Sequence, residues 1–155
     1  MTEDELFARR PLGMRMAMVV RQWRAIIDSA ITDTGLTQSS WTVLMQLHQL
    51  GDNVSVSELA EVQGIELPPL MRTLSLLEKQ GYLVRSTSPY DKRIRLLTLT
   101  DEGRAVLQTL NRVIEAFQAR VSDGIPAAEM AKFSDTLNQI ACNLRNIREE
   151  NNKTD

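Results

Sequence analysis

A chain of 155 residues is long enough for one compact domain with a real core and short for two. Hydrophobic residues make up 43% and charged residues 25%, ordinary for a soluble globular protein, and two Trp, two Tyr and three Phe are too few to favour a β-sandwich over helix packing. The net charge of −2 does not advertise nucleic-acid binding, but residues 1–67 hold five basic and nine acidic side chains whereas residues 68–95 hold six basic and two acidic.

A patch of one sign on a mildly acidic body is the footprint that phosphate binding requires. The start, Met1 to Glu5, is acidic where a signal peptide would be basic, and no apolar run approaches about 18 residues, so a cytoplasmic protein is expected. A single cysteine, Cys142, excludes an intramolecular disulfide and a Cys-cluster metal site, and reads as a small buried apolar residue. One His, one Cys, no nucleophile–base spacing and no phosphate-cradling glycine loop argue against an enzyme, a metal or a cofactor.

In chain order, residues 12–31 predict a long amphipathic helix, with Leu12, Met16, Val19, Trp23, Ile26 and Ala30 on one face and Gly35 beyond its end. Residues 38–50 predict a second helix, with Trp41, Leu44, Leu47 and His48 on one side and Gly51 closing it. Ser55 to Glu58 reads as a hydroxyl cap with an early acid, opening a short helix that stops at Gly64. Leu67-Pro68-Pro69 opens another, because prolines are accepted where amide hydrogens lack partners anyway. Leu70, Met71, Leu74 and Leu77 form its buried stripe, Arg72, Ser75 and Lys79 stay outside, and Gly81 ends it.

Tyr82 to Thr87 and Ile94 to Leu99 have β character and flank the turn cluster Ser88-Pro89-Tyr90-Asp91, which predicts a hairpin. Thr100 caps a helix whose face is Val106, Leu110, Val113, Phe117 and Val121. After a break at residues 123–126, Met130, Phe133, Leu137, Ile140, Leu144 and Ile147 step by three and four, the pattern of a coiled-coil seam. Such a seam serves either intrachain packing or a second copy of the chain. Residues Glu149 to Asp155 are polar and predict a frayed end.

Helix, helix, short helix, tight turn, helix, hairpin, helix, helix is the order of a winged helix-turn-helix, mainly α with a small β-hairpin wing. The segments from Gly64 to Leu74 and from Leu77 to Arg85, then Asp91-Lys92-Arg93-Ile94-Arg95 and Leu99-Thr100, resemble the MarR family and are most similar to its SlyA branch. Pro11-Leu12-Gly13, Val20 to Ala25 and Leu36-Thr37-Gln38 with Trp41 extend the resemblance upstream, so that it covers residues 11–104. It implies a single MarR-type domain over 1–155, with a winged core at 36–100 and dimerisation helices at 11–34 and 101–150. It further implies a bacterial, nucleoid-associated homodimer reading successive major grooves of double-stranded DNA at a pseudo-palindromic operator, as a repressor or an activator.

The resemblance places Arg72 on the recognition helix, where a guanidinium can pair with guanine in bidentate fashion or clamp a phosphate. Pro68, Pro69 and Thr73 line the same leading edge; many relatives carry a hydroxyl where Pro69 stands, so one contact to the target is lost. Arg93 matches the family's minor-groove arginine at the wing tip. Asp91 would hold the hairpin through a salt bridge, and Arg85, Lys92 and Arg95 would add phosphate contacts. Relatives often bind small aromatic carboxylates or phenols between the dimerisation helices and the winged domain and then lose DNA affinity. Arg21, Trp41 and His48 would offer such an effector a cation, a stacking face and a hydrogen bond, although Trp41 as core and His48 as a satisfied helix residue explain the same positions. The rival function is a winged helix that binds protein instead of DNA, which would have no need of Arg93 and Arg95 beside Arg72.

Overall fold

Hydroxyl residues stand where the chain must turn into a helix, and in the computed structural model, which describes residues 1–154, they cap those helices. The elements in order are α1 (Glu3–Ala8), α2 (Leu12–Ala30), a 3-10 turn (Thr32–Thr34), α3 (Gln38–Leu50), β1 (Val54–Ser55), α4 (Val56–Gln63), α5 (Leu67–Lys79), β2 (Leu83–Thr87), β3 (Arg95–Leu99), α6 (Asp101–Val121) and α7 (Ala127–Thr154). Thr2, Thr37 and Ser55 each accept a bond from the amide three residues on, and that residue's side chain returns the bond to the cap's amide. The mainly helical winged fold expected from the sequence is what forms.

Strand β3 is central, antiparallel to both neighbours in the order β1-β3-β2. Leu83 faces Leu99, Arg85 faces Leu97 and Thr87 faces Arg95, while Val54 of β1 pairs with Leu97. Sequence reasoning missed β1, whose two residues are too few for a period-2 pattern, and it missed α1.

The chain divides into two compact units, Met1–Glu115 and Ala116–Asp155. In the first, Leu44, Leu47, Leu59, Leu70, Leu74, Leu77, Leu83, Leu97 and Leu110 are fully buried. Each buried leucine contributes about 1.5–3 kcal/mol, so this cluster fixes α3, α4, α5 and the sheet as one scaffold.

Three patterns differ from expectation. On α2 the buried residue is Ile27, while Leu12, Val19 and Ile26 of the expected stripe are exposed. On α6 the buried face is Gly103, Leu107, Leu110 and Ile114; it is turned from the expected one because Gly103 lies against the backbone of Tyr82. The polar end expected to fray stays helical through Thr154, and Asp155 lies outside the described residues. The α7 seam has no buried residue at all: Phe133, Leu137, Leu144 and Ile147 are exposed, and Met130 and Ile140 half-buried.

Candidate nucleic-acid interface

The short helix α4 begins at Ser55, whose hydroxyl accepts from the Glu58 amide at 3.1 Å while its own amide donates to Glu58 Oε2 at 2.8 Å. It ends at Gly64, with φ of +61°, a left-handed conformation that glycine adopts without a Cβ clash. Three residues later α5 starts at Leu67, with both prolines in its first turn where no amide partner is needed. Leu70, Leu74 and Leu77 seat α5 on the core. Its other side leaves Pro68, Pro69 and Arg72 exposed, with Thr73 half-buried and its hydroxyl donating back to the Pro69 carbonyl at 3.3 Å.

The wing is joined firmly to α5. The Tyr82 amide donates to the Leu77 carbonyl at 2.9 Å, and the Thr100 hydroxyl donates to the Gly81 carbonyl at 2.6 Å while accepting from the Gly103 amide at 3.0 Å. The end of α5, the start of β2 and the start of α6 therefore meet at one knot.

Arg85 adds a side-chain tie across that joint. Its Nε donates to Glu78 Oε2 at 3.0 Å and its Nη2 to Ser75 Oγ at 2.9 Å, and the side chain is only 19% exposed. The structure thus places Arg85 as a brace between β2 and α5, apart from the other wing cations. Sequence reasoning missed Ser75 and Glu78 as its partners; their i,i+3 spacing on one helix face was the available signal.

At the wing tip the Ser88 amide donates to the Ile94 carbonyl at 2.9 Å and the Ile94 amide to the Asp91 carbonyl at 3.0 Å. Arg93 grips Asp91 through Nε at 3.1 Å and Nη2 at 3.0 Å, and its amide donates to Asp91 Oδ1 at 2.9 Å. The side-chain bonds from Arg93, reinforced by its amide, hold the Asp91 carboxyl below the usual carboxylate range; the same pair raises the Arg93 guanidinium. Despite that bond the Arg93 side chain is 90% exposed, so it still presents charge outward. Lys92 is exposed beside it, and Arg95 crosses to its strand partner, Nη1 donating to Thr87 Oγ1 at 2.6 Å.

The three residues expected to meet an effector are not joined by any bond. Arg21 is exposed on α2, and His48 is exposed in the last turn of α3, where a positive charge suits the helix dipole. Trp41 is half-buried, its indole N–H donating to Asn111 Oδ1 at 2.8 Å. Among the described residues no cluster of His, Cys, Asp or Glu could hold a metal ion, and no helix is long and apolar enough to cross a membrane.

Comparison with known proteins bears on this geometry. Residues 34–94, the span from the second core helix to the wing, match the family model described as MarR family. The solved structure of the transcriptional regulator PA3341 is 32% identical, with a TM-score of 0.77 over 88% of this chain and 99% of that one. The transcriptional repressor CouR, solved bound to a 23-mer DNA duplex, is 25% identical with a TM-score of 0.79, covering 91% of this chain and 98% of that one. A MarR-family regulator from Rhodococcus sp. RHA1 is 26% identical with a TM-score of 0.77, covering 84% and 91%.

Proposed function

The chain belongs to the MarR family of DNA-binding transcriptional regulators, and on that footing we propose that it works as a homodimer of the SlyA-like branch reading a pseudo-palindromic operator in the bacterial cytoplasm. Residues 1–155 act as one MarR-type domain, with 36–100 the winged core and 11–34 and 101–150 the dimerisation helices. The observation that carries the reading is an exposed cationic wing tip braced to a helix whose outer face carries Arg72. That CouR is bound to duplex DNA supports the same use of the lobe here.

In this reading α5 enters the major groove, which is wide enough for a helix and offers a distinct donor and acceptor pattern for each base pair. Arg72 reads a base edge or clamps a phosphate, with Pro68, Pro69 and Thr73 along the leading edge. Arg93 enters the minor groove and Lys92 and Arg95 neutralise phosphates, while Arg85 sets the angle between wing and helix and Asp91 holds the tip. The exposed apolar stripes of α2 and α7 pair with those of a second copy and set the spacing of the two recognition helices. An aromatic carboxylate or phenol bound by Arg21, Trp41 and His48 releases the DNA if it favours a conformation in which that spacing is wrong.

The test is a mobility-shift titration on a pseudo-palindromic duplex at several salt concentrations. Specific binding weakens steeply with salt. Arg93→Ala weakens binding on all sequences and lowers the salt slope by about one, and Arg72→Ala also relaxes the preference at one base position. If both variants bind like the wild type, this docking is wrong; if no duplex is bound above background, the operator-reading proposal falls and the rival, a winged helix that binds protein, is the reading left to test.

A further inference from the structure

Among the described residues only two aromatic side chains are exposed, Phe133 on the apolar stripe of α7 and Tyr90 in the turn between β2 and β3. Tyr90 is 97% exposed. A single apolar side chain on a surface is ordinary, so exposure by itself decides nothing. What distinguishes Tyr90 is how firmly the backbone beneath the ring is held and what charge surrounds it.

Ser88, itself buried, closes the tip: its amide donates to the Ile94 carbonyl at 2.9 Å and its hydroxyl accepts from the Tyr90 amide at 3.2 Å. Pro89 fixes the backbone on one side of Tyr90, and Asp91, gripped by Arg93, fixes it on the other. The ring thus stands on a set base yet touches almost nothing of its own chain. Meeting a partner then costs little ordering, since the backbone is placed beforehand and tyrosine has few side-chain torsions to fix.

The surroundings select the partner. Beyond the Ser88–Ile94 bond, Tyr90 lies on the leg from β2 and Arg93 on the leg into β3. Lys92, Arg93 and Arg95 are exposed, while Asp91, the acid of the tip, is engaged by Arg93. Whatever reaches the ring therefore meets positive charge on the opposite leg, which favours a polyphosphate backbone.

We propose that Tyr90 is a second wing contact to DNA: its ring lies against the sugars along one wall of the minor groove that Arg93 enters, and its hydroxyl donates to a backbone phosphate. Sugar edges are apolar and the phosphates beyond them accept hydrogen bonds, a combination that a phenol, apolar in body and polar at its end, satisfies. The contact carries no charge and reads no base edge; it positions Arg93 by steadying the other leg of the tip against the groove wall. It rests on the docking proposed above, in which Arg93 occupies that groove.

The experiment is a mobility-shift titration of the full-length protein at several salt concentrations, on the pseudo-palindromic duplex and on a scrambled one. Tyr90→Ala should bind both about tenfold more weakly, the loss of one uncharged contact, with an unchanged salt slope. Arg93→Ala, by contrast, lowers the slope. Tyr90→Phe, which keeps the ring, should fall between the wild type and Tyr90→Ala. Neither Tyr90 variant should lower the melting temperature, as loss of a structural role would. The chain has two tyrosines, so protein labelled with 3-fluorotyrosine gives two fluorine NMR signals, and the one missing in Tyr90→Phe is that of Tyr90. Saturating duplex should move this signal more than that of Tyr82. Wild-type affinity in Tyr90→Ala, a slope lowered as in Arg93→Ala, or a Tyr90 signal unmoved by bound duplex overturns the proposal. If the wild type binds neither duplex, the regulator reading has failed and this contact falls with it; wild-type binding that Tyr90→Ala leaves intact removes this contact alone.

Discussion

Asp91 and Arg93 hold each other at the tip of the wing, with both carboxylate oxygens engaged by the guanidinium at 3.0–3.1 Å and the Arg93 amide adding a third bond. An acid so close to the arginine proposed to enter the minor groove has two opposed effects: it repels phosphate, and it fixes the arginine in one place. Exposed ion pairs add little to global stability, so the balance is read in DNA affinity instead of melting temperature. Fixing wins in this geometry, because the pair also closes the turn from which Arg93 projects. Asp91→Ala should therefore weaken operator binding several-fold while leaving the melting temperature nearly unchanged. A mobility shift beside a thermal melt checks this, and tighter binding by the variant would mean that repulsion dominates.

The same pair sets a pH dependence. Its carboxyl titrates lower in the folded protein than in the unfolded chain, chiefly because of the Arg93 side-chain bonds. The pair's contribution is present in full above the unfolded carboxylate value and is lost as pH falls through the lower folded value. The tip should thus stay closed from about pH 8 down to about pH 5, well above the ordinary aspartate range. A carbon-detected NMR titration of Asp91 checks it: the midpoint should lie below that of an ordinary aspartate and rise toward it in Arg93→Ala.

Gly103 is the point where α6 presses on the start of the wing. A Cβ there would sit far inside contact distance of the Tyr82 carbonyl oxygen, which itself accepts from the Thr100 amide at 3.1 Å. The obstacle is backbone, so no side chain can swing aside. Gly103→Ala should destabilise the protein by about 1–3 kcal/mol through overpacking, although alanine is the better helix former. Chemical denaturation measures it; a more stable variant would show that α6 has room to move.

Gly103 also shows where sequence reasoning stops. Helix boundaries were legible because Gly51, Ser55, Gly64 and the two prolines act locally, through caps and backbone preferences within a few residues. The buried stripe of α5 was legible for the same reason, as a single period on a single helix. The buried face of α6 was not, since both of its faces carry apolar residues and only the approach of Tyr82 chooses between them. At the site, the cluster Arg72, Asp91, Lys92, Arg93 and Arg95 could be named from charge and resemblance. The bracing role of Arg85 could not, because it depends on the register that carries β2 past Ser75 and Glu78.

The seam on α7 gives the strongest test of the assembled molecule. Phe133 is 60% and Leu144 59% exposed within one chain, and Leu137 and Ile147 stand open along the same stripe. Each such side chain gains about 1.5–3 kcal/mol when covered, so several together would offset a large part of the entropy of association in the dimer proposed above. Because neither Phe133 nor Leu144 is packed inside the chain, replacing it opens no internal cavity. The double variant Phe133→Asp, Leu144→Asp should then keep its helical circular dichroism while its sedimentation mass falls from two chains to one. With the tie between recognition helices gone, it should also lose most of its affinity for a two-half-site duplex and retain the weak, salt-sensitive binding of a single lobe. A variant that remains a dimer would place the contact between copies elsewhere on the chain, and the spacing of the two half-sites would have to be set by that surface instead.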